Sequence, residues 1–240
     1  SKEETLKRLL DELEKRNRET VERLERLLKE LEDRNRDHMV LHEYVNAAGI
    51  TKIEESGLSK ELKDTLARIL EELRKLLEEY FRKNEELLRL LRKLLDEYAR
   101  TNEELLRLLE ELLDTARRTG GDSELLKRLE DIAREYEKRV RRLLEKLKDI
   151  LDKYRKTVEE LVRKMEEILK EAKKTISRIG SEEVKDIVRA MEEVIRRLIE
   201  ILRRDVELNL DVAKKLLELL KEDSKLNLDV ARELLELLDR

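Results

Sequence analysis

His38 and His42 are the only histidines in the chain, and they stand four positions apart. On a helix, two histidines at this spacing lie on the same face and can both bind one metal ion. No third ligand accompanies them, and the order His-Met-Val-Leu-His-Glu differs from the His-Glu-x-x-His order of zinc proteases. The chain also has no cysteine and no glycine-rich phosphate loop. We therefore expect no metal site, no cofactor and no catalytic residues, and the chain is not expected to be an enzyme.

Asparagine and tyrosine carry the other informative pattern, because they recur in an 18-residue repeat on the apolar faces of predicted helices. The residues are Asn17, Asn35, Tyr80, Asn84, Tyr98, Asn102, Tyr136, Tyr154, Asn209 and Asn227. Buried amides and hydroxyls destabilise a core unless they are paired, but they specify helix register. We interpret the set as structural hydrogen-bond networks. No Asp, His or Lys was found at a matching position, so a substrate site is not expected.

Composition and glycine spacing define the elements that carry these residues. Charged residues make up 48% of the chain, aromatic residues 2%, and proline is absent, which is typical of long helices. Glycines near residues 57, 120 and 180 mark breaks between helices. These breaks predict four helices at 2–56, 59–118, 123–178 and 182–239. We expect a single all-α, antiparallel up-down-up-down four-helix bundle over residues 1–240, with short loops. Each repeat is a whole number of helical turns, so the helices should be long and nearly straight.

Folding the chain at the three loops stacks the polar residues in two layers. One layer is Asn17, Asn102, Tyr136 and Asn227, and the other is Asn35, Asn84, Tyr154 and Asn209, with Tyr80 and Tyr98 one turn away. A further repeat along the bundle predicts a wholly apolar layer of Ile53, Leu66, Ala172 and Met191.

The charge distribution limits the classes of partner. Lys and Arg number 56 against 60 Asp and Glu, and the two signs are interleaved rather than gathered in the basic patch of a nucleic-acid binder. No apolar run approaches the length that a membrane span needs, and the N-terminal sequence does not resemble a signal peptide. We expect a soluble protein with no nucleic-acid or membrane partner and no targeting signal, cytoplasmic when expressed recombinantly.

Residues 36–51 differ in composition from their surroundings. The segment is Arg36, Asp37, His38, Met39, Val40, Leu41, His42, Glu43, Tyr44, Val45, Asn46, Ala47, Ala48, Gly49, Ile50 and Thr51. In the register of the repeat, His42, Asn46 and Gly49 replace leucines, so the segment forms a poor helix face. Its period-two alternation favours a strand with one mostly polar side. This conflict between local preference and surrounding helix is typical of a functional segment.

Residues 36–51, which we call the tag segment, resemble the eleventh-strand complementation tag of split green fluorescent protein at all sixteen positions. The resemblance implies that the free peptide adds as a β-strand to the ten-stranded remainder and completes the barrel. It also implies that Glu43 matches the family's inward glutamate beside the chromophore, and that Met39, Leu41 and Val45 share its inner face. The expected partner is the ten-strand fragment of split green fluorescent protein.

The rest of the chain resembles de novo designed helical bundles with buried hydrogen-bond networks, in the style of latch-and-cage switches. This resemblance rests on the 18-residue repeat, the asparagine layers and the loops, although the usual latch is C-terminal rather than in the first helix. It implies a caged-peptide switch or reporter. The alternatives are a structural scaffold with an accessible tag and a helix-binding component of a designed hetero-oligomer.

Leucine runs in the second and fourth helices bear on those alternatives. The runs around Leu87 to Leu94 and Leu216 to Leu220 widen the apolar faces to about 180°. They predict either a broad core contact or self-association, or a groove that receives a displacing key helix. A monomer is expected, and a dimer is the alternative.

Overall fold

The structure, a computed structural model, describes residues 1–178 and 182–239, apart from the side chains of residues 176, 183 and 184. It contains four α-helices, which are α1 (Lys2–Glu55), α2 (Lys60–Thr119), α3 (Ser123–Ser177) and α4 (Glu182–Asp239). No strand occurs within the described ranges. Residues 56–59 and 120–122 form short connections, which make the helices that they join antiparallel. The predicted all-α four-helix bundle is confirmed.

Polar caps and a glycine set the ends of the helices. Ser1 Oγ, Ser59 Oγ and Asp122 Oδ1 each accept a hydrogen bond from the backbone amide three positions later, at 3.3, 3.4 and 2.9 Å. These amides have no partner inside the helix, so the caps stabilise the first turns. Gly120 follows α2 with a φ of 72°, a left-handed conformation that favours glycine. The predicted break at residues 180–181 lies outside the described residues.

Tertiary contacts divide the chain into two compact units, and each unit contains a stretch of every helix. Unit 1 comprises Ser1–Lys29, Arg89–Ile150 and Val212–Arg240, and unit 2 comprises Glu30–Leu88 and Leu151–Asp211. The tag segment therefore lies wholly in unit 2. Over the described residues, none of the four helices has a stretch long and apolar enough to cross a membrane.

Each unit has an aliphatic core built from residues spaced three or four apart along its helices. In unit 1 the most deeply buried side chains include Leu13, Leu109, Leu112, Leu129 and Leu147, and in unit 2 they include Leu66, Ile69, Leu73, Val188 and Ile195. Burying one such side chain contributes about 1.5–3 kcal/mol. Three of the residues predicted for the apolar layer, Ile53, Leu66 and Ala172, are buried, and Met191 packs against the core cluster that contains Ile53 and Leu66.

Candidate functional site

All sixteen residues of the tag segment are helical and belong to α1. Only His42 is buried. Half-buried positions are His38, Met39, Val45, Asn46, Gly49 and Ile50, and the exposed ones are Arg36, Asp37, Val40, Leu41, Glu43, Tyr44, Ala47, Ala48 and Thr51. The stretch of equal length that precedes the segment buries five side chains, which are Thr20, Leu24, Leu28, Leu31 and Asn35. The tag segment thus contributes much less to the core than the part of α1 before it.

His42 occupies a core position without polar partners. Its side chain is only 3% exposed, and neither Nδ1 nor Nε2 makes a hydrogen bond. The imidazole packs against the Phe81 ring of α2, with 5.4 Å between the ring centroids. Burial, and secondarily the charge of His38, lowers the pKa of His42 to about 4. A buried polar group without partners costs about 1–3 kcal/mol, whereas Leu24 one repeat earlier is fully buried and apolar.

Three large hydrophobic side chains of the tag segment face solvent in the helix. Val40, Leu41 and Tyr44 are all exposed. Leu41 is one of the residues that the resemblance to the eleventh-strand tag would place on the inner face of a strand.

The predicted polar layer that borders the tag segment is joined by hydrogen bonds in unit 2. Asn84 Nδ2 donates to Asn35 Oδ1 at 2.8 Å, and Tyr154 Oη donates to Asn84 Oδ1. Asn209 Nδ2 donates to Tyr154 Oη at 3.0 Å. These three contacts connect α1 to α2, α2 to α3 and α3 to α4. A shift in the register of any one helix would break at least one of them.

A buried aspartate, which the sequence analysis missed, completes this network. Asp205 is 1% exposed, and its Oδ2 accepts a hydrogen bond from Tyr80 Oη. Arg34 Nε lies 3.2 Å and His38 Nδ1 3.3 Å from Asp205 Oδ1. Arg34 also donates to Asn209 Oδ1 at 2.6 Å. The expectation that no Asp or His joins the polar layers was wrong, because the α4 carboxylate lies one turn from Asn209 and draws Arg34 and His38 from α1.

Unit 1 contains the counterpart of this aspartate. Asp223 is 4% exposed and accepts hydrogen bonds from Tyr98 Oη and, at 2.9 Å, from Thr20 Oγ1. Arg16 Nε lies 4.0 Å from Asp223 Oδ1, a longer approach than that of Arg34 to Asp205. The two aspartates stand one repeat apart in the sequence, so the repeat places an acid in each unit.

The amides and phenol of the unit 1 layer are joined less completely than those of unit 2. Tyr136 Oη donates to Asn102 Oδ1 at 2.6 Å, and Asn227 Nδ2 donates to Tyr136 Oη at 2.9 Å. Arg16 donates to Asn227 Oδ1 at 3.1 Å. The Oδ1 atom of Asn17, however, is buried and accepts no hydrogen bond. Asn35 Oδ1 in unit 2 accepts a hydrogen bond from α2, and the corresponding oxygen of Asn17 in unit 1 does not.

Thr20 and His38 are also separated by one repeat, and each contacts the buried aspartate of its unit, at 2.9 and 3.3 Å. His38 belongs to the tag segment, whereas Thr20 does not. One residue of the tag is therefore used by the polar network of unit 2. The two histidines do not converge on a common ligand, because His38 faces Asp205 and His42 faces Phe81.

Burial keeps the network tyrosines protonated. Burial first, and then the charges of Tyr154 and Asp205, raises the pKa of Tyr80 well above its ordinary value. The pKa of Tyr98 is raised by burial, then by Tyr136 and Asp223. Both hydroxyls consequently stay available as donors to their aspartates over the neutral and moderately alkaline range.

Replacing Tyr80 with Phe is expected to lower the free energy of unfolding by about 1–3 kcal/mol, because Asp205 Oδ2 loses its phenolic donor inside the core. Tyr98→Phe should act similarly on Asp223. Chemical denaturation followed by circular dichroism measures both changes. The control is Tyr44→Phe at a position that is 74% exposed, where the change should stay within about 0.5 kcal/mol. Equal effects at Tyr80 and Tyr44 would contradict the network.

Within the described residues, no group of three His, Cys, Asp or Glu side chains is placed to hold a metal ion. Comparison with known proteins found no matching family model, curated protein or solved structure. The function therefore has to be inferred from the residues of this chain.

Proposed function

We propose that the chain is a designed four-helix bundle that holds the eleventh-strand tag of split green fluorescent protein as a helix. In this proposal the tag completes the fluorescent barrel only after it leaves the bundle, so the protein acts as a caged-peptide switch or reporter. The observation that carries the proposal is the helical state of all sixteen residues of the tag segment, with only His42 buried.

The caging mechanism is a competition between two backbone conformations. In an α-helix each amide donates to the carbonyl one turn earlier, so the donors that strand addition requires are already occupied. Leu41 and Glu43, which belong to the inner face of the strand, are exposed in the helix. Side-chain burial therefore contributes little to caging, and the helical backbone contributes most.

The weak docking of the tag segment makes such a competition reversible. An open state populated near 1% corresponds to a docking preference of about 2.7 kcal/mol. His42, Asn46 and Gly49 stand where Leu24, Leu28 and Leu31 stand one repeat earlier, and all three leucines are buried. Each lost leucine removes about 1.5–3 kcal/mol of burial, and Gly49 costs about 1 kcal/mol more inside a helix. The docked state is thus favoured over release by a small margin.

Mixing the protein with the ten-strand fragment tests the proposal. We expect fluorescence to develop about 100-fold more slowly than with the free peptide of residues 36–51, since the open state is near 1%. The free peptide at equal concentration is the matched control. If fluorescence develops at the rate of the free peptide, caging is overturned, and the alternative of a structural scaffold with an accessible tag is supported.

A second candidate function, helix binding, is favoured by large apolar side chains on the surfaces of α2 and α4. Leu90, Val194, Leu208 and Leu226 are between 36% and 46% exposed. Leu90 and Leu226 belong to unit 1, and Val194 and Leu208 belong to unit 2. In unit 2, which holds the tag segment, such side chains would contact a displacing key helix, and its binding would accelerate fluorescence. Size-exclusion chromatography with light scattering distinguishes the two functions, because a monomer that takes up no amphipathic helix would rule out the second.

A further inference from the structure

A cavity of about 510 Å³ lies in unit 2 beside the tag segment. Within the described residues, its walls come from α1, α2 and α4. The tag segment contributes Val45, Asn46 and Gly49, and the facing walls include Leu70 and Met191. The cavity borders the same apolar cluster in which Ile53 and Leu66 are buried.

The cavity has a cause in the sequence. Asn46 and Gly49 hold the helix positions that Leu28 and Leu31 hold one repeat earlier, so side-chain volume is missing from this wall. A Cβ atom at Gly49 would meet Leu70 Cδ1 at 3.4 Å, an ordinary contact distance, so the backbone at Gly49 tolerates a side chain. The packing defect is therefore a direct consequence of placing the tag in this helix.

We infer that this cavity is a binding site for a neutral, largely apolar small molecule with two or three fused or linked rings. Its volume lies within the range of about 300–1,000 Å³ that is typical of small-molecule sites. Most of the residues that line it are apolar, among them Leu73 and Ile187, and apolar walls favour a ligand with little polar surface. The charged residues on its wall, Lys52, Glu55 and Asp186, have mixed signs and so favour neither an anion nor a cation.

Occupancy of this site would act on the tag. Its α1 wall includes Val45, Asn46 and Gly49 of the tag segment, so the complete cavity exists only while the segment is docked as a helix. A ligand that binds only the docked form divides the ratio of open to docked protein by one plus the ratio of ligand concentration to dissociation constant. This coupling, unlike binding itself, rests on the proposed caging function.

Titration with the neutral dye N-phenyl-1-naphthylamine tests binding without the ten-strand fragment. We expect saturable fluorescence enhancement at one dye per chain. Gly49→Leu should weaken binding at least tenfold by filling the cavity, and Met191→Trp should do the same from α4. Gly57→Leu is the matched control, because it adds the same atoms at a glycine where a Cβ would meet nothing within 4 Å.

The proposed site would be overturned if the parent protein binds no dye. It would also be overturned if Gly49→Leu and Met191→Trp both bind the dye as well as the parent does. If Gly49→Leu loses its helical circular dichroism signal, Met191→Trp decides the question. The coupling is tested separately, since dye at ten times its dissociation constant should slow complementation of the protein about tenfold and leave the free peptide unaffected. Binding without slowing would overturn the coupling while the site stands, and fast complementation without dye would overturn the caging function alone.

Discussion

Lowering the pH from 7 to 4 is expected to remove about 3 kcal/mol of folding stability through His42 alone. An unfolded histidine takes up a proton near pH 6.5, whereas in the folded protein burial lowers the pKa of His42 to about 4. Between these values the unfolded state binds more protons, so stability falls as the pH falls. The loss begins near pH 6.5 and is complete below about pH 4, at about 1.4 kcal/mol per pH unit.

His42→Leu isolates this contribution from those of the carboxylates. The variant should lose about 3 kcal/mol less than the parent between pH 7 and pH 4, measured by denaturant unfolding at each pH. At pH 7 it should also be more stable, because the leucine removes two unpaired ring nitrogens from the core. The same change should slow complementation at pH 7, since a better packed tag segment opens less often. Equal acid sensitivity in both proteins would show that His42 is solvated.

Arg34→Leu is expected to lower the free energy of unfolding by about 3–5 kcal/mol, because it leaves Asp205 buried without its guanidinium partner. Arg34 also donates to Asn209, so that amide oxygen loses a donor. The residue lies two positions before the tag segment and shares Asp205 with His38. We therefore expect the variant to release the tag more often and to complement the ten-strand fragment at least tenfold faster than the parent.

Arg16→Leu provides the matched control in unit 1. Arg16 contacts Asp223 and Asn227 in the way that Arg34 contacts Asp205 and Asn209, but at 4.0 Å rather than 3.2 Å from its aspartate. It should destabilise the protein less, and it should leave the rate of complementation close to that of the parent because the tag segment lies in unit 2. Equal acceleration by both variants would mean that tag release follows global unfolding rather than the local network.

The helices and the positions of the hydrogen-bonded asparagines could be predicted from the sequence because both follow from its periodicity. Glycine spacing predicted helix bounds that lie within one residue of those in the structure. The 18-residue repeat placed Asn35, Asn84 and Asn209 on apolar faces, where hydrogen bonds connect them through Tyr154. A repeat of five whole turns keeps one face aligned, so the faces of the helices could be assigned without coordinates.

The buried aspartates had a sequence signal that went unused. Asp205 and Asp223 stand one helical turn before Asn209 and Asn227, which places each acid on the same helix face as its asparagine. In a chain with 60 acidic residues, single aspartates on a helix resemble surface charges. Their burial depends on Arg34 and Arg16, whose side chains reach them from another helix.

The sequence by itself determined that four helices form, where they end, and which faces are apolar, because capping residues and side-chain periodicity act within a few turns. Tertiary structure decided the partners of Asp205, the solvent exclusion of His42 and the cavity beside Gly49. Each of these depends on side chains that approach from other helices, and their distances and burial are consequences of packing rather than of local sequence. The tag segment is helical as part of α1, although its own alternation favours a strand.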